Sequence, residues 1–474
     1  MFRRIMTFIG TCSVIAFACP AATMTATGVI ASTQVSHTAI SLTLDQAVKL
    51  ALLANRGIVM SKYGVENQRF SLEAAKSEFD IKILQLAGAG VQGTNTDSYG
   101  NFALGATVQK KFDWGATGSV GPNVLWSGGD YGTWLNVALK QPLLKGLGKD
   151  INEDRIKSSL YALDASGRAL TQTEITTVLD AIALFHEAIR QESLIRMYGE
   201  TGQRLQAYAE VARAKERVGL ATPMDTYRAE IRLKDAETLR TQAVEAYQDV
   251  KDRLKSTLSI PLQQEVELVA PVPIEKPVIT SEEAVRIALA GRLELLQAEA
   301  DIREAERKAS ILKHNVLPEL NLVFDYTNTW AMNNANHGRI NDTGFWGLRL
   351  ESTTDLFRTA EKIAYEQGLL SLQSARITLE NKKDEIRRQV RIQVTALKEL
   401  QERITLRKEQ ISQAEGKLAL AQVKFSHGFT DNFDLIEAET ERQSAKGNLL
   451  SAETDMNVGI FRLQAAMGIL LKGN

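Results

Sequence analysis

The sequence predicts an α+β fold in which one unit of long antiparallel coiled-coil helices and short strands occurs twice. Residues 42–52 and 279–289 read LTLDQAVKLAL and ITSEEAVRIAL, at an offset of roughly 237. A second pattern, Gly-x5-Asp-x3-Ala-Glu, begins at Gly219 and again at Gly428, at an offset of roughly 209. Solenoid repeats are far shorter, about 20–50 residues. The two patterns therefore indicate a duplicated half, and the first copy holds roughly 28 extra residues between them.

The first repeat is predicted to begin with helices, which are followed by strands. After the helices, the chain becomes rich in Gly, Thr, Asn and aromatic residues that alternate with period two, which is typical of strands. A long stretch without proline follows and predicts one continuous helix, and turn residues at 219–223 separate it from the next helix. The predicted bounds are 42–260 for the repeat, 44–80 for the first helices, 81–141 for the strands and 153–260 for a helical hairpin.

The second repeat is predicted to have the same order of elements. A linker at 261–278 precedes it and holds four of the nine prolines. Its long helix carries large apolar residues at every seventh position, which is coiled-coil spacing. These residues are Val390, Leu397, Ile404, Ile411, Leu418 and Phe425. The predicted bounds are 279–470 for the repeat, 281–316 for the first helices, 319–351 for the strands and 359–470 for the hairpin.

The lengths of the helices predict a rod rather than a compact core. A helix of about 64–68 residues is roughly 100 Å long. In each repeat the two shorter helices together match the length of the long one. We therefore expect two short helices, stacked end to end, to lie antiparallel to each long helix. The turns at 219–223 and 428–432 would lie at one end of the rod and the strands at the opposite end.

The strands alone leave two interpretations open. Alternation of apolar and polar residues over about ten positions is typical both of a soluble sandwich and of a membrane barrel. Four to six strands are too few to close a barrel, which needs about eight. If the strands lie in a membrane, several chains must share one barrel, because lipid leaves open sheet edges unpaired.

The start of the chain is predicted to be a secretory signal peptide over residues 1–31. Arg3 and Arg4 supply positive charge, the apolar stretch at 5–18 is too short to span a bilayer, and small residues follow. Cleavage after Ala18, within residues 21–28, or after Ala31 are the open alternatives, and lipidation of Cys19 is another.

Composition argues against several classes of function. The 474 residues carry a formal net charge of −1 at pH 7, so no nucleic acid partner is expected. Both cysteines, Cys12 and Cys19, lie in the predicted leader, and cleavage after Cys19 would leave no thiol. The five histidines lack metal-ligand spacing, and no Ser-His-Asp set can be argued. We therefore expect no cofactor, no metal site and no enzymatic activity.

Four motifs in a fixed order carry a resemblance to a known family. They are the twin openings at 42–52 and 279–289, QPLLKGLG at 141–148, Leu-Pro at 317–318, and VGL at 218–220 followed by Asp225. Together they resemble the TolC-like outer membrane efflux protein family, from Leu42 to Gly468. The resemblance implies a homotrimer whose subunits share a 12-stranded barrel among outer membrane lipids. Below it, a helical barrel would cross the periplasm to a gated tip, where an inner membrane pump or secretion ATPase docks through a periplasmic membrane fusion adaptor.

The resemblance also implies roles for particular residues. A gate of carboxylates would include Asp434 and Glu437, one helical turn apart, and Asp225 would belong to the lock between neighbouring helices. About six carboxylates around a narrow opening would attract cations. The adaptor-contacting tips would be Val218, Gly219, Leu220 and Thr222 in one repeat and Gly428 and Phe429 in the other.

Two departures from the family pattern bear on these expectations. The lock partners of Asp225 in the family are Tyr and Arg, whereas the matching places here hold Phe425 and Thr430, so the lock is absent or rebuilt with groups such as Asp431. The first strand region is long enough for an extra hairpin, which leaves the strand count per chain open. The predicted function is an outer membrane exit duct of an efflux or type I secretion system. The alternative is a periplasmic coiled-coil scaffold or adaptor.

Overall fold

A computed structural model describes residues 40–93, 98–127, 130–271, 279–332 and 340–471. The predicted leader with Cys19 lies outside these residues, as does the linker segment 272–278.

None of the helices in the described ranges is long and apolar enough to cross a membrane.

The first repeat begins with two helices that are separated at Asn55. The Asn55 side chain accepts hydrogen bonds from the N–H groups of Gly57 (2.8 Å) and Ile58 (3.1 Å), which begins the second helix. A strand region and a long helical hairpin follow. The elements are β1 (Ile40–Leu42), α1 (Leu44–Ala54), α2 (Arg56–Lys76), β2 (Lys82–Gly93), β3 (Ser98–Lys111), β4 (Thr117–Ser127), β5 (Asp130–Pro142), α3 (Lys149–Asn152), α4 (Asp154–Arg217) and α5 (Pro223–Thr257).

The second repeat has the same plan with two strands instead of four. Strand β6 lies before it and pairs in parallel with β1, so that the start of the chain is joined to the segment between the repeats. The elements are β6 (Val266–Leu268), α6 (Ser281–Gly291), α7 (Leu293–Asn315), β7 (Asn321–Met332), β8 (Ile340–Glu351), α8 (Thr359–Ser426) and α9 (Asn432–Ala466).

The long helices α4 and α8 are 64 and 68 residues long, and the shorter helices pack along them. Helices α2 and α5 lie against α4, while α7 and α9 lie against α8. The packed faces are rich in alanine, as in the cluster of Ala209, Ala212, Ala229 and Ala236, which allows a close approach of α4 and α5. Separate buried apolar clusters follow one another along the rods, so the hydrophobic core is elongated and not compact.

Six strands form one antiparallel sheet in the order β2-β3-β4-β5-β7-β8. The contact between β5 and β7 joins the two repeats, with Val137 opposite Tyr326 and Leu139 opposite Phe324. Helix α2 leads into β2, β5 leads into α4, α7 leads into β7 and β8 leads into α8. The sheet therefore stands at one end of the rods, and the turns between α4 and α5 and between α8 and α9 stand at the other.

From β3 to β8, one face of the sheet is mainly apolar and the other is mainly polar, with Phe345 as an exposed apolar side chain on the polar face. In β2 both faces carry apolar side chains. The polar face carries Asn123, Asn136 and Thr327, and the Thr327 hydroxyl donates a 3.0 Å hydrogen bond to the Asn136 side chain. An ion pair of Arg349 with Asp325 lies on this face too. The opposite face carries large side chains that are exposed in the single chain: Ile83, Phe102, Leu104, Val108, Val120, Val124, Trp126, Leu139, Trp346, Leu348 and Leu350.

Candidate functional site

The turns at the far end of the rods are built in the same way in both repeats. Gly219 and Gly428 adopt left-handed φ angles of 79° and 77°, which end α4 and α8. The residue after each glycine donates its backbone N–H to a carbonyl in the last helical turn: Leu220 to Lys215 (2.8 Å) and Phe429 to Lys424 (2.9 Å). Duplication of the sequence is thus duplication of a backbone turn.

Each turn ends at a capped helix N-terminus: Thr222 is the N-cap residue of α5, and Asp431 is that of α9. Asp225 accepts hydrogen bonds from the Thr222 backbone N–H (3.1 Å) and hydroxyl (2.7 Å), and these bonds lower the pKa of the Asp225 carboxyl. In the second repeat, Asp431 accepts from the N–H groups of Phe433 (3.0 Å) and Asp434 (3.4 Å). Both carboxylates lie at helix N-termini, where the backbone dipoles stabilise negative charge.

The predicted tip residues present apolar side chains to solvent. Leu220 is 77% exposed and Phe429 is 81% exposed, and Val218 is also exposed. Leu220 and Phe429 line one groove between the two turns, and clustered exposed apolar side chains are typical of surfaces that a partner covers.

The predicted gate carboxylates Asp434 and Glu437 lie on α9, one turn from the tip. The Thr430 hydroxyl donates a hydrogen bond to Asp434. Lys417 on α8 places its Nζ 4.0 Å from Glu437 and 2.8 Å from Glu441. The hydrogen bond to Glu441, with the charges of Glu437 and Asp434, raises the pKa of Lys417. Within the described chain, one lysine therefore stands beside the predicted pair of carboxylates.

The residues at the predicted lock positions lie around one groove. The resemblance implies bonds between them, and the described residues show none. Asp225, Phe425 and Thr430 all line a groove of about 960 Å³ between the two tips. Asp225 bonds to its own helix start, as described above. Phe425 instead lies beneath the Lys215 ammonium, whose Nζ is 3.8 Å from the ring centre, and this contact joins α8 to α4.

A buried ion cluster that the sequence did not reveal lies farther along the rods. Glu439 is 0% exposed and accepts hydrogen bonds from Arg204 of α4 (2.9 Å) and Arg442 of α9 (2.8 Å). The repeated motif could have pointed to it, since Glu439 is its last residue and Glu230 is the matching residue in the first repeat. Glu230 pairs with Arg213 at 2.7 Å on the surface.

The second repeat matches a known family. Residues 284–469 match the model of the family described as outer membrane efflux protein. No curated protein matches the sequence.

Solved structures match nearly the whole length of the chain. The outer-membrane channel OprN is 16% identical with a TM-score of 0.69, over 90% of this chain and 89% of that chain. The outer membrane protein VceC of Vibrio cholerae is 14% identical with a TM-score of 0.68, over 90% and 96%. The CmeC outer membrane channel of Campylobacter jejuni is 13% identical with a TM-score of 0.70, over 90% and 86%.

These comparisons confirm the predicted fold class and the family resemblance. The chain has the fold of outer membrane channels such as OprN and CmeC. The scaffold alternative gains no support from them.

Proposed function

We propose that this chain, which has the fold of the outer membrane efflux channels, is one subunit of a passive exit duct that crosses the outer membrane and extends into the periplasm. The observation that carries the proposal is the sheet: its apolar face is exposed, and the two long helical hairpins lead away from one end of it. Such a sheet suits lipid on one face and a water-filled lumen on the other. The rods then form the wall of the periplasmic part.

The duct is a homotrimer that works with a membrane fusion adaptor and an inner membrane pump or secretion ATPase, which supplies the energy. The six-stranded sheet supports an assembly of several copies, because six strands cannot enclose a barrel alone. The number three comes from the family resemblance. The test is fractionation of cells that express the full chain. The protein should stay with the outer membrane after a carbonate wash and migrate as a trimer in mild detergent. Release into the wash as a monomer would contradict the proposal.

The adaptor contacts the tips through Val218, Gly219, Leu220, Thr222, Gly428 and Phe429. The exposed side chains of Leu220 and Phe429 support this assignment. Phe429→Asp should abolish co-purification of the adaptor from native membranes, whereas Phe429→Leu should retain it. Equal recovery of the adaptor with both variants would refute the assignment.

Asp434 and Glu437 line the aperture as rings of carboxylates, and Asp225 stands beside it. Asp434 and Glu437 lie near the start of α9, and Asp225 at the start of α5 lines the groove between the turns; these places support the roles. Asp434→Asn combined with Glu437→Gln should lower the permeability of cations relative to anions in a planar bilayer. The control is Glu402→Gln combined with Glu409→Gln, which neutralises two exposed carboxylates far along α8. The same loss of cation preference in both double variants would remove the gate assignment.

A further inference from the structure

The six-stranded sheet ends in two edges that have no strand beside them among the described residues, β2 on one side and β8 on the other. Both edge strands are 12 residues long. Strand β2 leads away from the helices and β8 returns to them. The β8 edge of one copy beside the β2 edge of another would therefore form an antiparallel pair, like the five pairs within the chain. Backbone N–H and C=O groups at a sheet edge must be paired in lipid, and another copy of this chain can pair with each edge.

We infer that three copies close one wall of eighteen strands, six from each copy, instead of the twelve that the family resemblance implies. The inference rests on the trimeric duct proposed above. It adds the composition of the wall and identifies β2 and β8 as the surfaces through which the copies join.

The hairpin of β3 and β4 accounts for the larger number. Strands β2, β5, β7 and β8 each connect to a helix, whereas β3 and β4 connect only to other strands. Residues 98–127 hold this hairpin, and the length matches the roughly 28 extra residues of the first repeat. The hairpin is thus an insertion into a unit that otherwise has two strands per repeat.

The inserted hairpin has the side-chain pattern of the membrane wall. Phe102 lies opposite Trp126 and Leu104 opposite Val124, all on the apolar face of the sheet. Leu104 is 51% exposed, and Trp346, on the same face of β8, is 68% exposed. If the hairpin were folded into a water-filled lumen, these apolar side chains would be exposed to water. The apolar surface runs from β3 through β8, so these strands face one solvent.

The turn between β3 and β4 packs on the segment between β5 and α4. The Gly148 N–H donates to the Trp114 carbonyl (3.1 Å), and the Trp114 ring N–H donates to the Gln141 side chain (3.0 Å). At Gly115, where φ is 102°, a Cβ atom would lie 2.3 Å from the Gly146 carbonyl oxygen. This close contact holds the turn in place, and β3 and β4 are integral strands of the sheet.

A wall of eighteen strands is wider than one of twelve. Barrel diameter grows roughly in proportion to strand number, so the increase is about 1.5-fold. The number of helices in the periplasmic part is unchanged, because the added strands connect to no helix. The strand end of the duct would therefore be wider than a wall of twelve strands.

Electron cryomicroscopy of the full chain in lipid nanodiscs tests the number directly. The expected result is a three-fold ring with eighteen strands in the membrane. A three-fold ring of twelve strands, with the β3–β4 hairpin of each copy off the wall, would overturn this inference and leave the exit duct intact. Particles without three-fold symmetry or without a membrane ring would overturn the proposed function as well.

Cysteine pairs test the joining edges. Gln85→Cys on β2 is combined in turn with Asp342→Cys, Gly344→Cys, Trp346→Cys or Leu348→Cys on the same face of β8. Since β2 and β8 lie on opposite edges of one chain, a disulfide between them must join two copies. We expect at least one combination to give dimers and trimers on a non-reducing gel. The control is Val120→Cys on β4, an interior strand, which should give none with the same partners. Failure of every β2–β8 combination in trimeric protein, or equal linkage of the control, would overturn the edge assignment.

Discussion

Glu439 and Glu230 occupy the same place in the two repeats but lie in different environments. Glu439 is buried between α4 and α9 with Arg204 and Arg442, whereas Glu230 pairs with Arg213 at the surface. Removing one partner of a buried ion pair leaves uncompensated charge, which costs about 3–5 kcal/mol, while an exposed pair contributes about 0–1 kcal/mol. The two positions are therefore matched controls for each other.

Glu439→Gln should destabilise the protein much more than Glu230→Gln. Because Arg204 is partly exposed, we expect a loss at the lower end, about 3 kcal/mol, against less than about 1 kcal/mol for Glu230→Gln. Thermal unfolding of the detergent-solubilised protein checks this as a difference in Tm. Equal shifts in Tm would show that burial of Glu439 does not persist in the assembled protein.

His186 provides a titratable group within the rods. It is buried, its ring lies 6.3 Å from the Phe185 ring and 6.5 Å from the Phe461 ring, and burial lowers its pKa. The unfolded chain therefore takes up a proton near pH 6.5, whereas the folded chain takes it up only at a lower pH. Stability from this site is fully present above that pH and is lost as the pH falls below it.

His186→Phe should remove part of the loss of Tm between pH 7 and pH 5. Phe461→Leu removes a neighbouring ring but keeps the histidine, so its Tm should fall with pH as in the parent protein. An unchanged pH slope in His186→Phe would mean that the imidazole is not buried in the native assembly.

The proposed gate could be predicted from the sequence only in part. Asp434 and Glu437 came from the family resemblance, and their roles remain a proposal. Lys417 and Lys215 were missed because both act across a helix interface, beside Glu441 and Phe425 respectively. Heptad spacing predicts that two helices pack, but it does not give the relative register that decides which side chains meet.

The helical rods could be predicted well because their signals are local. The absence of proline and the seven-residue spacing indicate long helices, and the glycines at 219 and 428 mark their ends. Strand faces are harder to predict. In β2, Ile83 and Val91 lie on one face while Leu84 and Leu86 lie on the other, so the alternation is weak.

Gly115→Ala should disrupt the base of the inserted hairpin. Its positive φ and its contact with the Gly146 carbonyl leave no room for a side chain. The control, Gly132→Ala on β5, meets nothing within 4 Å. Immunoblots of outer membranes should show much less trimer for Gly115→Ala and a normal amount for Gly132→Ala. Normal trimer levels for both variants would argue against tight packing at the turn.

At the scale of the whole molecule, the arrangement of strands could not be predicted from the sequence. Each barrel strand gives only a weak signal, and the order of the sheet depends on the contact of β5 with β7, which joins residues almost two hundred positions apart. The insertion was visible as extra length between the repeated motifs, yet its pairing required the structure. Pairing of the two sheet edges requires more than one copy of the chain, and the proposed number of three comes from the family resemblance.

The most direct test of the exit duct is the current carried by the purified full chain in a planar lipid bilayer, with its mass measured in the same preparation. We predict a trimer that inserts in discrete steps of conductance. A monomer that stays in solution without detergent and carries no current would contradict the account.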